Sequence, residues 1–137
     1  MNAKRRLTLL ALPILALMIA GHACGTGYRT TSRISGNSGE VRVRVNDADG
    51  MDNTSIEINE DWSWARITTT ITLSVGGGSC RATLSGDDNA SISLEATAGS
   101  PTEVYGDLVT DGFGEVDLQT DCQNAREVDL SILFTLK

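Results

Sequence analysis

The chain lacks almost every side chain on which common enzymatic chemistry depends. Its 137 residues include one histidine, His22, and two lysines, Lys4 and Lys137. Histidine is the usual general base of serine and cysteine hydrolases and a usual zinc ligand, so these sites are excluded from the body of the chain. A small carboxylate-dependent hydrolase stays open, because a pair of acids suffices for glycoside hydrolysis. We expect no enzyme activity and no cofactor.

Charge is missing from the stretch that follows the basic head of the chain. Residues 4–6 are Lys-Arg-Arg, and residues 7–20 carry no charged side chain. A membrane-spanning helix needs about 20 apolar residues, whereas this run is shorter and contains Pro13. The layout is that of an export signal whose small residues before Cys24 suit cleavage. The sequence therefore predicts a signal peptide over residues 1–23.

The end of this segment suggests how the mature chain begins. Gly21-His22-Ala23 places small residues one and three positions before Cys24. The stretch resembles the lipobox of bacterial lipoproteins, in which the cysteine receives a diacylglyceryl group before cleavage. The resemblance implies lipidation at Cys24 and attachment to a membrane through that lipid. It also implies a place in the bacterial cell envelope, facing the periplasm or the cell surface. Ordinary signal peptidase cleavage, with a free or intermolecular Cys24, is the alternative.

Cysteine is scarce, and its odd count supports the same interpretation. The chain has three cysteines, so an exported form leaves one without a partner. Lipidation of Cys24 removes the odd one and leaves Cys80 and Cys122 to form a disulfide. The loop between them would contribute about 4 kcal/mol in the chain-entropy model. Because both cysteines share the phase of inward residues, a buried bridge between two sheets is feasible.

Positive charge is also scarce once the signal is removed. Residues 24–137 hold all 18 acidic residues and only eight basic ones. Such an acidic body is not expected to bind nucleic acid or anionic lipid headgroups. Residues 24–39 are rich in Gly, Ser and Thr, which predicts a flexible tether. Residues 40–137 are then one domain.

What the domain does have is alternation of apolar and polar residues. Valines 41, 43 and 45 alternate with Arg42 and Arg44, and similar segments recur between turn-forming runs such as "DADGMDN", "SGDDN" and "QNAR". The expected inward residues are Ile56, Ile58, Ile67, Ile71, Leu73, Val75, Cys80, Ala82, Leu84, Ile92, Leu94, Ala96, Val104, Leu108, Val116, Leu118, Val128, Leu130, Ile132, Phe134 and Leu136. This pattern predicts an antiparallel β-sandwich of seven or eight strands, immunoglobulin-like or Greek-key, with a small β-barrel as the alternative.

Aromatic residues make up only 4% of the chain, and two of them stand together. Trp62 and Trp64 are out of phase with Ile67 and Ile71. A bulge near Ala65 would turn both rings into the core. A continuous strand would instead place both rings side by side on the outer face, as a surface for a sugar or a partner protein. A strand break or turn is the third alternative.

Acidic turns supply the weak candidates for a metal site. Asp47, Asp49 and Asp52 form one group and Asp87 and Asp88 another, and calcium prefers oxygen ligands of this kind. Aspartate also makes metal-free turns by bonding its own backbone, which is the expectation here.

Together these features predict a non-catalytic, exported cell-envelope lipoprotein with a binding or scaffolding role. Its partner would be an envelope protein or a glycan. The alternative is a secreted module that binds a glycan or calcium. Buried tryptophans would favour the scaffold, and an exposed pair of rings would favour the binding module.

Overall fold

The computed structural model describes residues 25–137, and the predicted signal peptide and Cys24 lie outside them. The described part contains eight β-strands and no helix: β1 Gly25–Thr26, β2 Arg29–Ser35, β3 Ser38–Glu57, β4 Arg66–Ser74, β5 Gly77–Ser85, β6 Ser91–Thr97, β7 Thr102–Val109 and β8 Glu115–Leu136. Every pairing is antiparallel.

Two long strands, β3 and β8, pair along their whole length and belong to both layers of the fold. The first layer has the order β2, residues 38–45 of β3, residues 128–136 of β8, β4 and β7. The second has residues 50–57 of β3, residues 115–122 of β8, β5 and β6. The antiparallel β-sandwich is thus confirmed, as one continuous open sheet folded over itself.

The fold-over occurs where the sequence predicts turns. The register of β3 shifts between Ala48 and Gly50, and β8 has positive φ angles at Asn124 and Glu127. Both strands bend together there, so the ladder continues through the bend. "DADGMDN" and "QNAR" therefore mark bends inside β3 and β8 and do not separate strands as predicted.

The predicted inward residues form the core between the two layers. Of these, Ile67, Ile71, Ala82, Leu84, Leu108 and Ile132 are fully buried, and the remaining members of the predicted set are buried or pack against the core. The layers also meet at their edges, where Thr102 Oγ1 of β7 donates to the Glu95 carbonyl of β6 at 2.6 Å. The alternation therefore identifies the core correctly.

Cys80 and Cys122 are disulfide-bonded, as predicted. Their neighbourhood differs from the expectation, because they face each other on adjacent strands β5 and β8. The bridge lies within the second layer and does not join two sheets. Both residues are buried.

The predicted tether is the main correction to the fold. Arg29–Ser35 forms strand β2 and pairs with β3 from Arg44 to Ser38. All seven of its residues are exposed, so no side chain of β2 joins the core. The main-chain ladder holds the strand, and a sequence pattern does not report such a ladder.

The two ends of the sandwich differ. Residues 58–65, 86–90 and 110–114 connect strands at one end, which we term the loop end. Main-chain hydrogen bonds join these segments, from Trp64 N to Asp111 O at 3.0 Å and from Asp87 N to Val109 O at 2.8 Å. The short β2–β3 turn at residues 36–37 lies at the same end, where Asn37 O accepts from Leu136 N. β1 lies at the opposite end, where Gly25 pairs with Ala48 beside the bend of β3.

Candidate functional site

The two tryptophans lie in the loop end, and the structure separates them. β3 ends at Glu57 and β4 begins at Arg66, so both rings are in a connecting segment. Trp62 is partly buried and packs against the core. Trp64 is 68% exposed. The bulge predicted to bury both rings does not form, and the strand break is what occurs.

Trp62 anchors the loop to the core. Its ring meets that of Phe134 edge to face, with centroids 5.8 Å apart. Space for the Phe134 ring comes from Gly39, where a Cβ would come within 2.7 Å of the ring. Trp62 therefore has a structural role.

A buried threonine fixes the main chain on both sides of Trp64. The Thr110 hydroxyl donates to the Trp62 carbonyl and accepts from Ala65 N at 2.9 Å. Thr110 N also donates to Ala65 O at 2.9 Å. Since Thr110 has no exposed surface, water does not compete for these bonds.

The neighbouring Asp111 organises the opposing segment. Its carboxylate accepts from Phe113 N at 2.8 Å and from Glu115 N at 3.0 Å, which closes the turn into β8. Its carbonyl accepts from Trp64 N. Sequence reasoning missed Thr110 and Asp111 as site residues, although the Asp-Gly pair signals the turn.

Trp64 itself is held in an unusual conformation. Its φ of 48° lies in the left-handed region, which a bulky residue adopts only when its surroundings impose it. The ring lies against Gly112, where an added Cβ would come within 2.9 Å of it. Ser63 Oγ fixes the same contact by donating to Gly112 O at 2.8 Å. An exposed aromatic ring is thus set in a defined position.

The surroundings of the ring are acidic and partly apolar. Phe113, 76% exposed, follows Gly112 directly. The three loop segments contribute Glu60, Asp61, Asp87, Asp88 and Asp111 and contain no Lys or Arg. The loop end therefore combines two exposed rings with hydrogen-bond acceptors and negative charge.

The calcium candidates lie in turns and bends, where three of them accept hydrogen bonds from the main chain. Asp49 Oδ1 accepts from Asn124 N at 3.0 Å, Asp52 Oδ1 from Asn53 N at 3.0 Å and Asp88 Oδ1 from Ala90 N at 3.2 Å. Asp47 lies beside the bend, where it pairs with Arg126 in the ladder, and Asp87 lies in the β5–β6 loop. Among residues 25–137, no group of three or more His, Cys, Asp or Glu side chains could hold a metal ion.

A second polar surface, not predicted from the sequence, covers the outer face of the β2–β3 hairpin. Arg42 forms a two-point ion pair with Asp129, at 2.9 Å from Nε and 2.6 Å from the terminal nitrogen. This hydrogen bonding by Arg42 lowers the pKa of Asp129 below its ordinary value. Arg44 Nε lies 3.6 Å from the same carboxylate. Arg29 and Arg33 share this face.

No protein-family model and no curated protein matches the chain. Among solved structures, it is similar to the CBM22-1 xylan-binding domain of Paenibacillus barcinonensis Xyn10C, with 9% identity over 80% of this chain and 81% of that one and a TM-score of 0.45. A carbohydrate-binding module of Cellvibrio mixtus lichenase 5A, in complex with cellotriose, has 17% identity over 85% and 91% and a TM-score of 0.36. An oxalate oxidase has 14% identity over 81% and 52% and a TM-score of 0.45. At these TM-scores, the similarities carry no argument about what this chain binds.

Residues 25–137 include no long apolar helix of the kind that spans a membrane.

Proposed function

We propose that the protein is a non-catalytic module of the bacterial cell envelope that binds a glycan at the loop end. The observation that carries this proposal is the position of Trp64: exposed, set against Gly112 and held by main-chain bonds on either side. A ring fixed before binding loses little conformational freedom when it stacks on a sugar face. Hydroxyl groups of the sugar would then meet the acceptors of the surrounding loops.

The charge of the loop end narrows the class of glycan. The three loop segments hold five acidic side chains and no Lys or Arg. Arg66 and Lys137 border them, so the acidic side chains remain in excess. A uronic-acid, sulfated or phosphorylated polymer would be repelled there. The proposed ligand is therefore a neutral or amine-bearing polysaccharide.

Export and lipid attachment at Cys24 complete the proposal. The basic head, the uncharged run and the lipobox-like end of the segment support it. Support also comes from the disulfide, because Cys80 and Cys122 are paired and Cys24 is the cysteine left over. The intact mass of the mature protein tests this part: a cysteine N-terminus with a diacylglyceryl addition is expected. An unmodified peptide mass would contradict it.

Glycan binding is tested by titrating neutral polysaccharides against the parent and two variants. Trp64→Ala should weaken binding at least about tenfold, as expected for the central residue of a binding surface. Tyr105→Ala is the matched control, because Tyr105 is 71% exposed but lies on β7, on the outer face of the first layer. Equal affinity of parent and Trp64→Ala would contradict the proposal. Loss of binding in both variants would move the site to the sheet face.

A further inference from the structure

The distribution of positive charge is uneven. Only eight Lys and Arg side chains occur in residues 24–137, and four of them lie on one two-stranded face. We term this face the arginine ribbon: Arg29, Arg33, Arg42 and Arg44, with Thr31 and Glu40 between them. It is the outer face of β2 and of the adjoining part of β3.

The register of the hairpin sets the spacing of these arginines. Arg29 lies directly opposite Arg44, Thr31 opposite Arg42 and Arg33 opposite Glu40. Successive outward residues on a strand are about 6.7 Å apart, so the three rows extend over about 13 Å. The ribbon presents its cations on one face.

Two of the four arginines form ion pairs with residues 25–137 and two do not, although Glu40 lies directly opposite Arg33. Arg42 and Arg44 share Asp129, whereas Arg29 and Arg33 form no ion pair with the described residues. Like charges placed directly opposite on neighbouring strands destabilise a sheet, as with Arg29 and Arg44. An anion outside the protein would relieve this repulsion.

The ribbon also lies close to the start of the described chain. Gly25 and Thr26 pair with Ala48 and Asp47, so β1 runs along β3 directly before β2. Cys24, the proposed lipid attachment site, immediately precedes this segment in the sequence. Tyr28, half exposed, stands next to Arg29, and tyrosine is enriched at membrane interfaces.

We propose that the arginine ribbon lies against the anionic headgroups of a membrane. Basic residues near a membrane attachment point are attracted to acidic lipids, and a flat ribbon contacts a plane of phosphates with several arginines at once. The acidic loops lie on another part of the surface, and salt screens charges beyond about 10 Å. A flexible acidic polymer is less well matched, since it would extend beyond the ribbon over acidic surface. The lipid proposed at Cys24 would orient the ribbon toward the membrane, but the contact between the ribbon and the headgroups does not depend on that lipid.

The test uses residues 25–137, which contain all eight strands and the disulfide, produced under oxidising conditions without lipid. Vesicles of phosphatidylglycerol and phosphatidylcholine at 1:1 are compared with pure phosphatidylcholine in a sedimentation assay at about 0.1 M salt, where charges are screened beyond about 10 Å. The parent should bind the acidic vesicles only. Arg29→Gln with Arg33→Gln should weaken this binding about 25-fold, since each arginine near the surface contributes about fivefold. The matched control, Arg66→Gln with Arg81→Gln, removes the same charge outside the ribbon and should lose far less.

A variant with the opposite effect guards against misfolding as the cause of a loss. Asp129→Asn removes the carboxylate that Arg42 and Arg44 share, and should strengthen binding to acidic vesicles. Equal binding to both vesicle types, or equal losses in the two double variants, would overturn the proposal. So would binding to polygalacturonate with none to acidic vesicles, which would make the ribbon a polysaccharide site. The measurements are independent of Trp64 and of the mass of the mature protein, so failure here leaves the proposed function standing.

Discussion

The loop end and the arginine ribbon belong to one sandwich but are constructed in opposite ways. At the loop end, a fully buried threonine and an edge-to-face ring pair fix the main chain around one exposed ring. In the ribbon, β2 buries no side chain and is held by its ladder to β3. The difference matches the two proposed partners. A sugar ring requires a rigid contact of defined shape, whereas a layer of headgroups requires only charge in a plane.

The largest effect we expect acts on the whole sandwich and therefore on both surfaces. Replacing Cys80 and Cys122 by alanine should lower the free energy of unfolding by about 4 kcal/mol, because the unfolded chain is no longer constrained. Urea unfolding of parent and variant measures it. Reductant should lower the midpoint of the parent toward that of the variant and leave the variant unchanged. A parent insensitive to reductant would contradict the prediction.

The fold shows which features the alternation of apolar and polar residues can predict and which it cannot. Alternation identifies the core because each core strand has one buried face, as shown by Val41, Val43 and the apolar residues of β4, β5 and β8. β2 has no such face, so nothing in "RTTSRIS" distinguishes it from a tether. The bends of β3 and β8 are equally hidden, since the same Gly and Asn residues serve a bend and a chain reversal.

The candidate site was less accessible to prediction for a related reason. The spacing of Trp62 and Trp64 places both rings on one side of any regular strand. Their separation depends on the positive φ of Trp64, and that conformation depends on contacts with Asp111 and Gly112 from a distant segment. The sequence locates the aromatic pair correctly but does not determine which ring is free.

The next effect in size distinguishes the two tryptophans. Trp62→Ala should cost about 2–3 kcal/mol, less than for a fully buried ring, because Trp62 is only partly buried. Trp64→Ala should change stability by less than about 0.5 kcal/mol, as expected of an exposed residue. Urea unfolding of the two variants side by side is the measurement. Equal losses would show that both rings support the fold, and the loop end would then lose its candidate ligand ring.

A smaller effect concerns Asp129, the carboxylate of β8 that lies beside the ribbon. Asp129 is partly buried beside Arg42 and Arg44, and hydrogen bonding by Arg42 lowers its pKa. Its contribution to stability is therefore fully present above the ordinary aspartate pKa of about 3.9 and is lost as the pH falls through the lowered value. Asp129→Asn should cost about 1 kcal/mol at pH 7. Unfolding midpoints of parent and variant should converge as the pH falls through that lowered value. A gap that persists there would assign the effect to packing instead of charge.

The smallest effect has the opposite sign and separates the ribbon most clearly from the loop end. Arg29→Gln removes one of two arginines that face each other across β2 and β3, and no buried contact is lost. Relief of that repulsion should raise the free energy of unfolding by at most about 0.5 kcal/mol at low salt. The gain should vanish in 1 M salt, where charges are screened within about 3 Å. Thr31→Gln, at the next outward position of β2, is the control and should show no dependence on salt. Destabilisation by Arg29→Gln would mean that the arginine supports the fold. A stabilising change would instead show that Arg29 is kept at a small cost to stability, as residues that serve binding often are.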